Sequence, residues 1–216
     1  MSAHILHRLL DNQFLLNIDR TIFWEEERSL ILSDLHLGKS GHFRKSGIGI
    51  PQNIFKEDMQ RLLAAIQFYK PQQLIIVGDL FHSHFNKEHD LFLRWRKDLA
   101  QLPIQLVKGN HDILKKEWYA DAGINVHDES LVIGKFMFTH DIDTCPEHKG
   151  YCFSGHIHPG IRLRGLGRQS LQLPCFYFAK TYAVLPAFGK FTGTFPIRPL
   201  TGESVYALVD DAVLKM

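Results

Sequence analysis

Cysteine is scarce in this sequence, with three residues among 216. They are Cys145, Cys152 and Cys175, an odd number, and no Cys-x-x-Cys pair occurs. Neither a disulfide framework nor a zinc knuckle held by thiolates is therefore expected. Free thiols in a reducing compartment fit this usage best, so we expect a cytoplasmic protein.

Long apolar runs and an excess of charge of one sign are also missing. No run approaches the length that spans a bilayer, and polar residues interrupt the first sixteen positions, where a signal peptide needs a continuous apolar core. The net charge of +2 is too small to indicate a nucleic-acid partner by itself. An apolar fraction of 45% and the chain length are typical of one globular domain over residues 1–216.

Buried strands alternate with helices in the first half of the chain. A hairpin is predicted around residues 14–24, before a βαβαβ unit with parallel strand pairing. Its strands are predicted over 29–33, 73–77 and 104–107, and its helices over 53–69 and 87–101, the second with a stripe of Leu91, Trp95 and Leu99.

The second half contains short strand candidates separated by glycine and proline, which indicates a more antiparallel arrangement. The candidates are residues 131–133, 136–139, 152–154, 161–164, 175–179, 181–185 and 204–209. Two sheets packed face to face, with helices outside, are the simplest architecture for both halves.

Five short segments carry metal-binding side chains, and most of them directly follow strand-like runs. The segments are Ser33-Asp34-Leu35-His36, Gly78-Asp79, Gly109-Asn110-His111-Asp112, Thr139-His140-Asp141 and Gly155-His156-Ile157-His158. Open α/β sheets place their ligands at the carboxyl ends of strands, so these segments are expected to converge. Such side chains can hold two cations about 3.5–4 Å apart, which clamp a phosphate and generate hydroxide at neutral pH.

Residues two positions apart are expected to share a direction. In an extended segment they point the same way, so Asp34 and His36 can reach one cation, and His156 and His158 can serve neighbouring cations. Asp79 stands at the end of the next strand, and each of its two oxygens can hold a metal. The expected site therefore contains two ions with a carboxylate between them.

Asn110 and His140 complete the candidate ligands. Asn110 offers a neutral amide oxygen, which does not reduce the Lewis acidity of a bound cation as a charged ligand would. His140 directly follows a predicted strand and is expected at the edge of the sheet. His111 is not needed as a ligand, and the neighbouring Asp112 carboxylate can orient its imidazole and favour its charged form. Such a histidine can donate a proton to a leaving oxygen or stabilise the phosphate charge. The alternative is a turn histidine that only orients a ligand.

These segments resemble the calcineurin-like metallophosphoesterase superfamily, whose D-x-H, G-D, G-N-H-[DE], H and G-H-x-H blocks occur here in that order. The resemblance implies an α/β fold, a four-layer αββα sandwich of two mixed β-sheets flanked by helices. It also implies two divalent metal ions, with Asp79 bridging and His111 near the leaving group. The implied ligands are Asp34, His36, Asp79 and His158 for one ion, and Asp79, Asn110, His140 and His156 for the other.

Further segments are similar to the ligase-associated DNA damage response endonucleases of the PdeM type. They are residues 34–39, 43–44, 78–83, 155–159, 173–176, 185–189 and 191–193, with Thr194 standing where a second glycine is expected. This resemblance implies a manganese-dependent nuclease or phosphodiesterase that acts on DNA. It also implies a DNA ligase, a helicase and an exonuclease-like protein as companions.

The substrate is expected to be a diester. Serine/threonine phosphatases of the superfamily carry an arginine shortly after Gly-Asp to grip a terminal phosphate, and none stands there in this chain. Lys39 and Arg44 follow the first motif, Arg162 follows the last, and both basic groups are expected to flank one cleft. Phe81 is a candidate stacking face for single-stranded bases. The alternative is that these residues are solvated charges and core aromatics.

The expected reaction is in-line attack of a metal-bridged hydroxide on a phosphodiester of DNA, in a process linked to DNA repair. Mixed aspartate, histidine and asparagine ligands suit Mn²⁺, and Fe or Zn²⁺ can compete. A first alternative is a small diester of the cyclic-nucleotide type, and a second is a non-catalytic scaffold for DNA-repair partners. An open cleft with basic edges favours DNA, whereas a lidded pocket favours the small diester.

Overall fold

Two mixed β-sheets form the framework of the chain. The computed structural model describes residues 4–39, 54–82, 87–145, 147, 149–165 and 169–216. In the first sheet seven strands follow one another in chain order, and the first three pairings are antiparallel and the last three parallel. These strands are β1 (His4–Leu9), β2 (Asn12–Asn17), β3 (Ile22–Trp24), β4 (Ser29–Leu32), β5 (Gln73–Val77), β6 (Ile104–Val107) and β7 (Ile124–His127).

The second sheet is built from the remaining strands and is also mixed. The strands are β8 (Ser130–Ile133), β9 (Phe136–Thr139), β10 (Tyr151–Ser154), β11 (Pro159–Arg164), β12 (Ser170–Phe178), β13 (Tyr182–Val184), β14 (Phe195–Pro196), β15 (Ser204–Val209) and β16 (Ala212–Lys215). The main path has the order β14-β11-β12-β13-β10-β9-β8, and a hairpin of β15 and β16 pairs with β12.

Within the described residues, three α-helices connect the parallel strands of the first sheet. They are α1 (Ile54–Tyr69), α2 (Lys87–Asp98) and α3 (Lys116–Asp121), and a 3₁₀ turn spans Ile142–Thr144. Residues such as Leu62, Phe92 and Tyr119 bury the inner faces of these helices against one face of the first sheet. Among the described helices, none has the length and apolar character needed to cross a membrane.

A large aromatic core joins the two sheets. Side chains of alternate residues point to opposite faces of a strand, so Ile75 and Val77 face the second sheet while Leu74 and Ile76 face the helices. From the second sheet, Phe176 enters this core. The core fixes the sheets face to face, and this confirms the predicted α/β sandwich of two mixed sheets.

The outer face of the second sheet is covered differently. A small cluster of buried residues lies there, including Cys175 and Tyr177, with Ile161 and Ile197 packed against it. In the described part of the chain, no α-helix contributes to this cluster. Among the described residues, the segment after β14 thus covers part of this face through Ile197.

The sequence predicted most elements but missed several. Strands β5, β6, β9 and β15 have the predicted bounds, and the helix predicted over 53–69 runs from 54 to 69. Strand β1, helix α3 and strand β7 were not predicted. The expected stripe of α2 is wrong at Leu91, whose side chain is 43% exposed, because the helix buries Phe92 and Arg96 instead.

Candidate metal centre and active site

Two neighbouring loops carry the first ligand candidates. They follow the parallel strands β4 and β5 and continue the sheet's pairing beyond the strand ends. The backbone N–H of Asp34 donates to the carbonyl of Gly78 at 3.1 Å, and the N–H of His36 donates to the carbonyl of Asp79 at 2.9 Å. Strand pairing thus fixes the register in which Asp34, His36 and Asp79 face one another.

The backbone at these residues is not extended, which corrects the expectation based on i and i+2 spacing. Five of the seven predicted ligands lie in the left-handed region, a conformation that costs non-glycine residues roughly 1–2 kcal/mol each. Their φ angles are 52° for Asp34, 50° for His36, 49° for Asp79, 68° for His156 and 51° for His158. Left-handed residues, and not strand alternation, turn these side chains toward the common centre.

The first group of candidate ligands consists of Asp34, His36 and His158, whose ligand atoms all lie within 4.8 Å of one another. The Nε2 atoms of His36 and His158 are 3.2 Å apart. Nε2 of His158 lies 3.4 Å from Oδ1 of Asp34. Asp34 is fully buried and His36 nearly so, and this group therefore forms the deeper part of the centre.

The second group consists of Asp79, His140 and His156. Nε2 of His140 lies 3.1 Å from Nδ1 of His156, 3.5 Å from Oδ2 of Asp79 and 3.0 Å from Oδ1 of Asn110. Oδ2 of Asp79 also lies 3.9 Å from Nδ1 of His36. One carboxylate oxygen thus faces both groups, although the assignment of ligands to ions stays a prediction.

The surroundings of the centre keep His36 unprotonated and Asp34 charged, for two different reasons. Burial lowers the pKa of His36 to about 2. Burial works in the opposite direction on Asp34, but the hydrogen bond from His158 and the charges of nearby histidines hold the pKa of Asp34 below its usual value. Burial raises the pKa of Asp79. A neutral imidazole beside a carboxylate is the form that binds a metal ion.

The donor set fits divalent cations. Each group brings imidazole nitrogens and a carboxylate oxygen together, with nitrogen lone-pair atoms 3.1–3.2 Å apart. Imidazole and carboxylate together suit Mn²⁺, Fe and Zn²⁺. Asn110 adds a neutral oxygen at the second group. The two groups of side chains therefore match the chemistry of a metal centre.

Glycines beside the candidate ligands allow close approach of the backbone. A Cβ on Gly78 would overlap the imidazole of His140, and Gly78 also has a φ of 78°. A Cβ on Gly109 would overlap Oδ1 and the backbone nitrogen of Asp79. Glycine at these positions is thus required by the packing of the ligands.

A third loop, at residues 186–189, supports the centre from the second sheet. The N–H groups of Phe188 and Gly189 donate to the carbonyls of Ser33 and Asp34. Below the loop, Arg20 donates to the carbonyl of Gly189 at 3.2 Å, and Arg61 donates to that of Phe188. The sequence suggested no role for these two arginines, which hold the loop against the Asp34 backbone.

His111 lies at the edge of the centre. Its backbone N–H donates to Oδ1 of Asp79 at 2.9 Å, and its ring centroid is 5.6 Å from that of His36. His82 lies between them, with its ring centroid 4.5 Å from His111 and 5.2 Å from His36. Sequence reasoning missed His82, whose position three residues after Asp79 was the available signal.

Asp112 contacts the loop backbone. Its fully buried carboxylate accepts hydrogen bonds from the N–H of Phe81 at 3.1 Å and the N–H of Gly109 at 2.9 Å. Among the hydrogen bonds of the described residues, none joins it to the His111 ring. Burial raises the pKa of Asp112 to about 7. The expectation that Asp112 orients the imidazole directly is thus corrected, since this carboxylate ties the loops after β5 and β6 together.

The predicted substrate contacts are distributed unevenly. Phe81 is fully buried and stacks on His89 at 4.4 Å, so the prediction that it stacks on bases is wrong. Lys39 is half-buried, and its ammonium feels the charges of Asp34 and Asp79, although burial is the main effect and lowers its pKa. Arg44 lies outside the described residues. Arg162 is exposed on β11.

The second group of ligands opens onto a cleft of about 730 Å³. Asn110, His140 and His156 line it, together with Lys108 and several acidic residues, among them Asp128 and Glu129. Arg162 does not line this cleft but a different groove. The expectation that the arginines after the last motif flank this cleft is therefore wrong for Arg162.

The fold and the clustered side chains define a calcineurin-like phosphoesterase. Residues 28–175 match the model of the calcineurin-like phosphoesterase family, more than half of the chain, and the protein belongs to this family. It is accordingly a metal-dependent phosphoesterase, and family membership implies divalent metal ions, for which the two groups of side chains are candidates.

Among solved structures, the chain is similar to the Pseudomonas putida nuclease MPE. The two share 29% sequence identity over 95% of this chain and 96% of that one, with a TM-score of 0.81. The chain also matches Yfce, a phosphoesterase from E. coli, with 16% identity over 87% of this chain and 97% of that one and a TM-score of 0.45. A search of curated protein sequences gave no significant match. The similarity to a nuclease agrees with the resemblance to ligase-associated endonucleases.

Proposed function

We propose that the protein is a dinuclear phosphodiesterase that cleaves DNA, with Mn²⁺ as its preferred ion. The observation that carries this proposal is the position of the Asp79 carboxylate. Its Oδ2 lies 3.9 Å from Nδ1 of His36 in the first group and 3.5 Å from Nε2 of His140 in the second. One carboxylate between two sets of imidazoles is the arrangement that two neighbouring ions need. The similarity to a nuclease supports DNA as the substrate.

Each part of the centre has a role in this proposal. Two bound cations would supply Lewis acidity toward the phosphate and activate water. Asp34, His36, Asp79 and His158 would hold the first ion, and Asp79, Asn110, His140 and His156 the second. A ring nitrogen of His111 donates a proton to the departing oxygen.

The absence of an arginine after Gly78-Asp79 supports a diester over a monoester. A terminal phosphate carries one more negative charge than a diester and is commonly gripped by a bidentate guanidinium. The residues that follow Asp79 and are described, Leu80, Phe81 and His82, offer no such group. A cytoplasmic location, a role in DNA repair and cooperation with a DNA ligase, a helicase and an exonuclease belong to the same proposal.

The test is hydrolysis of three substrates in the presence of Mn²⁺, with a chelator as control. The substrates are a nitrophenyl phosphodiester, labelled single-stranded DNA and labelled duplex DNA. We expect metal-dependent cleavage of DNA, and the comparison of the two DNA forms gives the strand preference. Cleavage of the nitrophenyl diester alone would point to a small-molecule phosphodiesterase. Inactivity on all three would favour a scaffold and overturn the proposal.

A further inference from the structure

A second groove of about 730 Å³ lies on the outer face of the second sheet. It begins at the loop of the metal centre, because Ile157, the residue between His156 and His158, forms part of its wall. The N–H of Phe195 donates to the carbonyl of His158 at 2.8 Å, and Phe195–Pro196 pairs in parallel with Pro159–Gly160. The groove is thus built directly onto a predicted ligand.

Three arginines line this groove. They are Arg162 and Arg164 on β11 and Arg198 after β14, and we name the feature the arginine groove. All three side chains belong to exposed residues. In the described part of the chain none of them forms an ion pair, and Arg162 contacts only the amide of Gln172, at 3.3 Å. Among the described residues, no carboxylate therefore neutralises their positive charge in an ion pair.

Aromatic rings lie among these charges. Phe195 is 63% exposed, which is unusual for so large an apolar side chain, and Tyr182 is half-buried in the same groove. Tyr177 lies at the base, where its hydroxyl donates to Glu203 at 2.6 Å. Oε2 of Glu203 also accepts from the N–H of Leu200, so the acidic group at the groove is held by two donors.

We propose that the arginine groove binds single-stranded DNA next to the phosphate that is cleaved. Proteins that bind single strands without sequence preference combine a positive groove with aromatic platforms for the bases. Phe195 and Tyr182 offer the platforms, and the arginines contact the phosphates. Ile157 joins the wall of the groove to the loop that carries His156 and His158, so a strand that lies along the groove leads toward the metal centre. This inference rests on the proposed nuclease function, since it assigns the flank of that same substrate.

The chemistry favours nucleic acid over a protein partner. A protein interface is depleted of charge at its centre, whereas this groove places three guanidinium groups around the rings, with no ion pair to a described residue. Free guanidinium groups bind phosphate oxygens bidentately. A second copy of the chain would be expected to cover a wholly apolar face. The described residues of this groove do not form such a face, because three of them are arginines.

Binding is tested with a fluorescently labelled oligothymidylate in the presence of a chelator, so that no cleavage takes place. We expect the variant R162A/R164A/R198A to bind at least tenfold more weakly than the unaltered protein. Each phosphate contact on a single strand contributes roughly 0.7 to the magnitude of the slope of log affinity against log salt. Loss of three contacts should therefore reduce that magnitude by about 2. The variant F195A should bind about fivefold more weakly or worse, with an unchanged salt slope.

A matched control separates local contacts from total charge. The variant R8A/R94A/K97A removes three positive charges from exposed residues outside the groove. We expect its affinity to stay within twofold of the unaltered protein, and circular dichroism checks that all variants fold. Equal affinity of the groove and control variants would overturn the proposal. The proposal would also be overturned if the unaltered protein were a dimer and the groove variant a monomer with unchanged affinity for oligothymidylate.

The failure of this inference differs from the failure of the proposed function. The nuclease proposal is tested by hydrolysis with the unaltered protein. The groove proposal is tested by the binding of oligothymidylate to the groove variants in the presence of a chelator. DNA cleavage by the unaltered protein together with groove variants that bind normally would overturn only the groove. Loss of binding in the groove variants, with no DNA cleavage by the unaltered protein, would overturn the nuclease and leave the groove as a site that binds single-stranded DNA without cleaving it.

Discussion

The backbone N–H of His111 donates a hydrogen bond of 2.9 Å to Oδ1 of Asp79. This bond joins the loop after β6 to the carboxylate at the end of β5. Because the amide takes Oδ1, Oδ2 is left to face His36 and His140. The peptide that carries the candidate proton donor thus also orients the candidate bridging carboxylate.

Replacing Asp79 with asparagine should release both ions together. An amide offers one neutral oxygen in place of two charged ones, and its nitrogen has no lone pair for a metal, so the two groups lose the charged ligand that they share. We expect the metal content of the purified variant to fall from two ions toward none, measured by elemental analysis and calorimetric titration. Asp90→Asn, at an exposed position of α2, is the control. Loss of a single ion would contradict the shared ligand.

Replacing His111 with asparagine should lower turnover while the metal remains bound. A positioned proton donor contributes on the order of 10²-fold or more to a rate, and the backbone bond to Asp79 does not depend on the side chain. Steady-state hydrolysis of the nitrophenyl diester gives the rate, and elemental analysis gives the metal content. His4→Asn, on the exposed side of β1, is the control. Unchanged turnover in His111→Asn would disprove the assigned role.

Replacing Gly109 with alanine should damage the centre without removing any ligand. The added Cβ would overlap the carboxylate and backbone of Asp79, and overpacking of this kind costs about 1–3 kcal/mol. We expect the free energy of unfolding to drop by that amount and the metal affinity to fall at least tenfold, from urea unfolding and calorimetric titration. Gly193→Ala is the matched control, because its Cβ meets no atom within 4 Å. Equal effects of the two substitutions would show that the contact with Asp79 is unimportant.

His7 should make the fold sensitive to mild acid. Burial, helped by the charge of Lys215, lowers the pKa of His7 to about 4, and its ring contacts Phe178 and Tyr206. The unfolded chain therefore binds this proton more readily, so the stability that His7 contributes is lost as the pH falls from about 6.5 toward about 4.

Urea unfolding between pH 4.5 and 7 measures this contribution. The variant His7→Phe keeps a ring at the position and cannot take up the proton, so we expect its stability to depend less steeply on pH than that of the unaltered protein. His4→Phe, on the exposed side of the same strand, should keep the original slope. Parallel curves for His7→Phe and the unaltered protein would refute the assignment.

Replacing His156 with glycine should stabilise the metal-free protein. The φ of His156 is 68°, and glycine adopts this region freely, which relieves about 1 kcal/mol. Thermal unfolding with a chelator should show the gain, and unfolding with Mn²⁺ should show a net loss, because a ligand is missing. Asp210→Gly, with a φ of 46° in an exposed turn, should gain equally in both conditions. A gain for His156→Gly that persists with Mn²⁺ would speak against a metal-binding role.

The strands that deliver the centre were predictable from the sequence. Gln73–Val77 and Ile104–Val107 are short apolar runs with polar residues directly behind them, and their bounds agree with the structure. Hydrophobic patterning decides such buried parallel strands. The positions of Asp79 and Asn110 beyond the strand ends follow from the same pattern, and so does their closeness in space.

Helix α2 shows where patterning fails. The apolar residue Leu91 is exposed, whereas Arg96 is buried. The guanidinium of Arg96 is satisfied by backbone carbonyls, among them those of Ala122 at 3.1 Å and Gly123 at 3.3 Å. Such partners come from another part of the chain, so the periodicity of apolar residues within the helix does not predict them. The prediction for Phe81 was wrong for a related reason. An aromatic ring that follows the end of a strand can face the core as well as the solvent, and the ring of Phe81 is buried.

The left-handed backbone of the ligand residues was also invisible in the sequence. Aspartate and histidine adopt a positive φ more often than most residues but far less freely than glycine, so their presence alone does not predict it. The conformation arises from pairing with neighbouring loops, such as the bond from the N–H of His36 to the carbonyl of Asp79. The expected ligand residues were therefore brought together, but by a geometry other than the extended one assumed.

The strained backbone gives the centre a thermodynamic cost that the rest of the molecule must offset. With five such residues at roughly 1–2 kcal/mol each, the cost is comparable to the whole net stability of a small protein. Mutations that only improve stability would tend to erase the centre, starting with glycine at exposed His156. Directed evolution for heat resistance should therefore be carried out with the metal present, so that heat-resistant variants keep the residues that the chemistry needs.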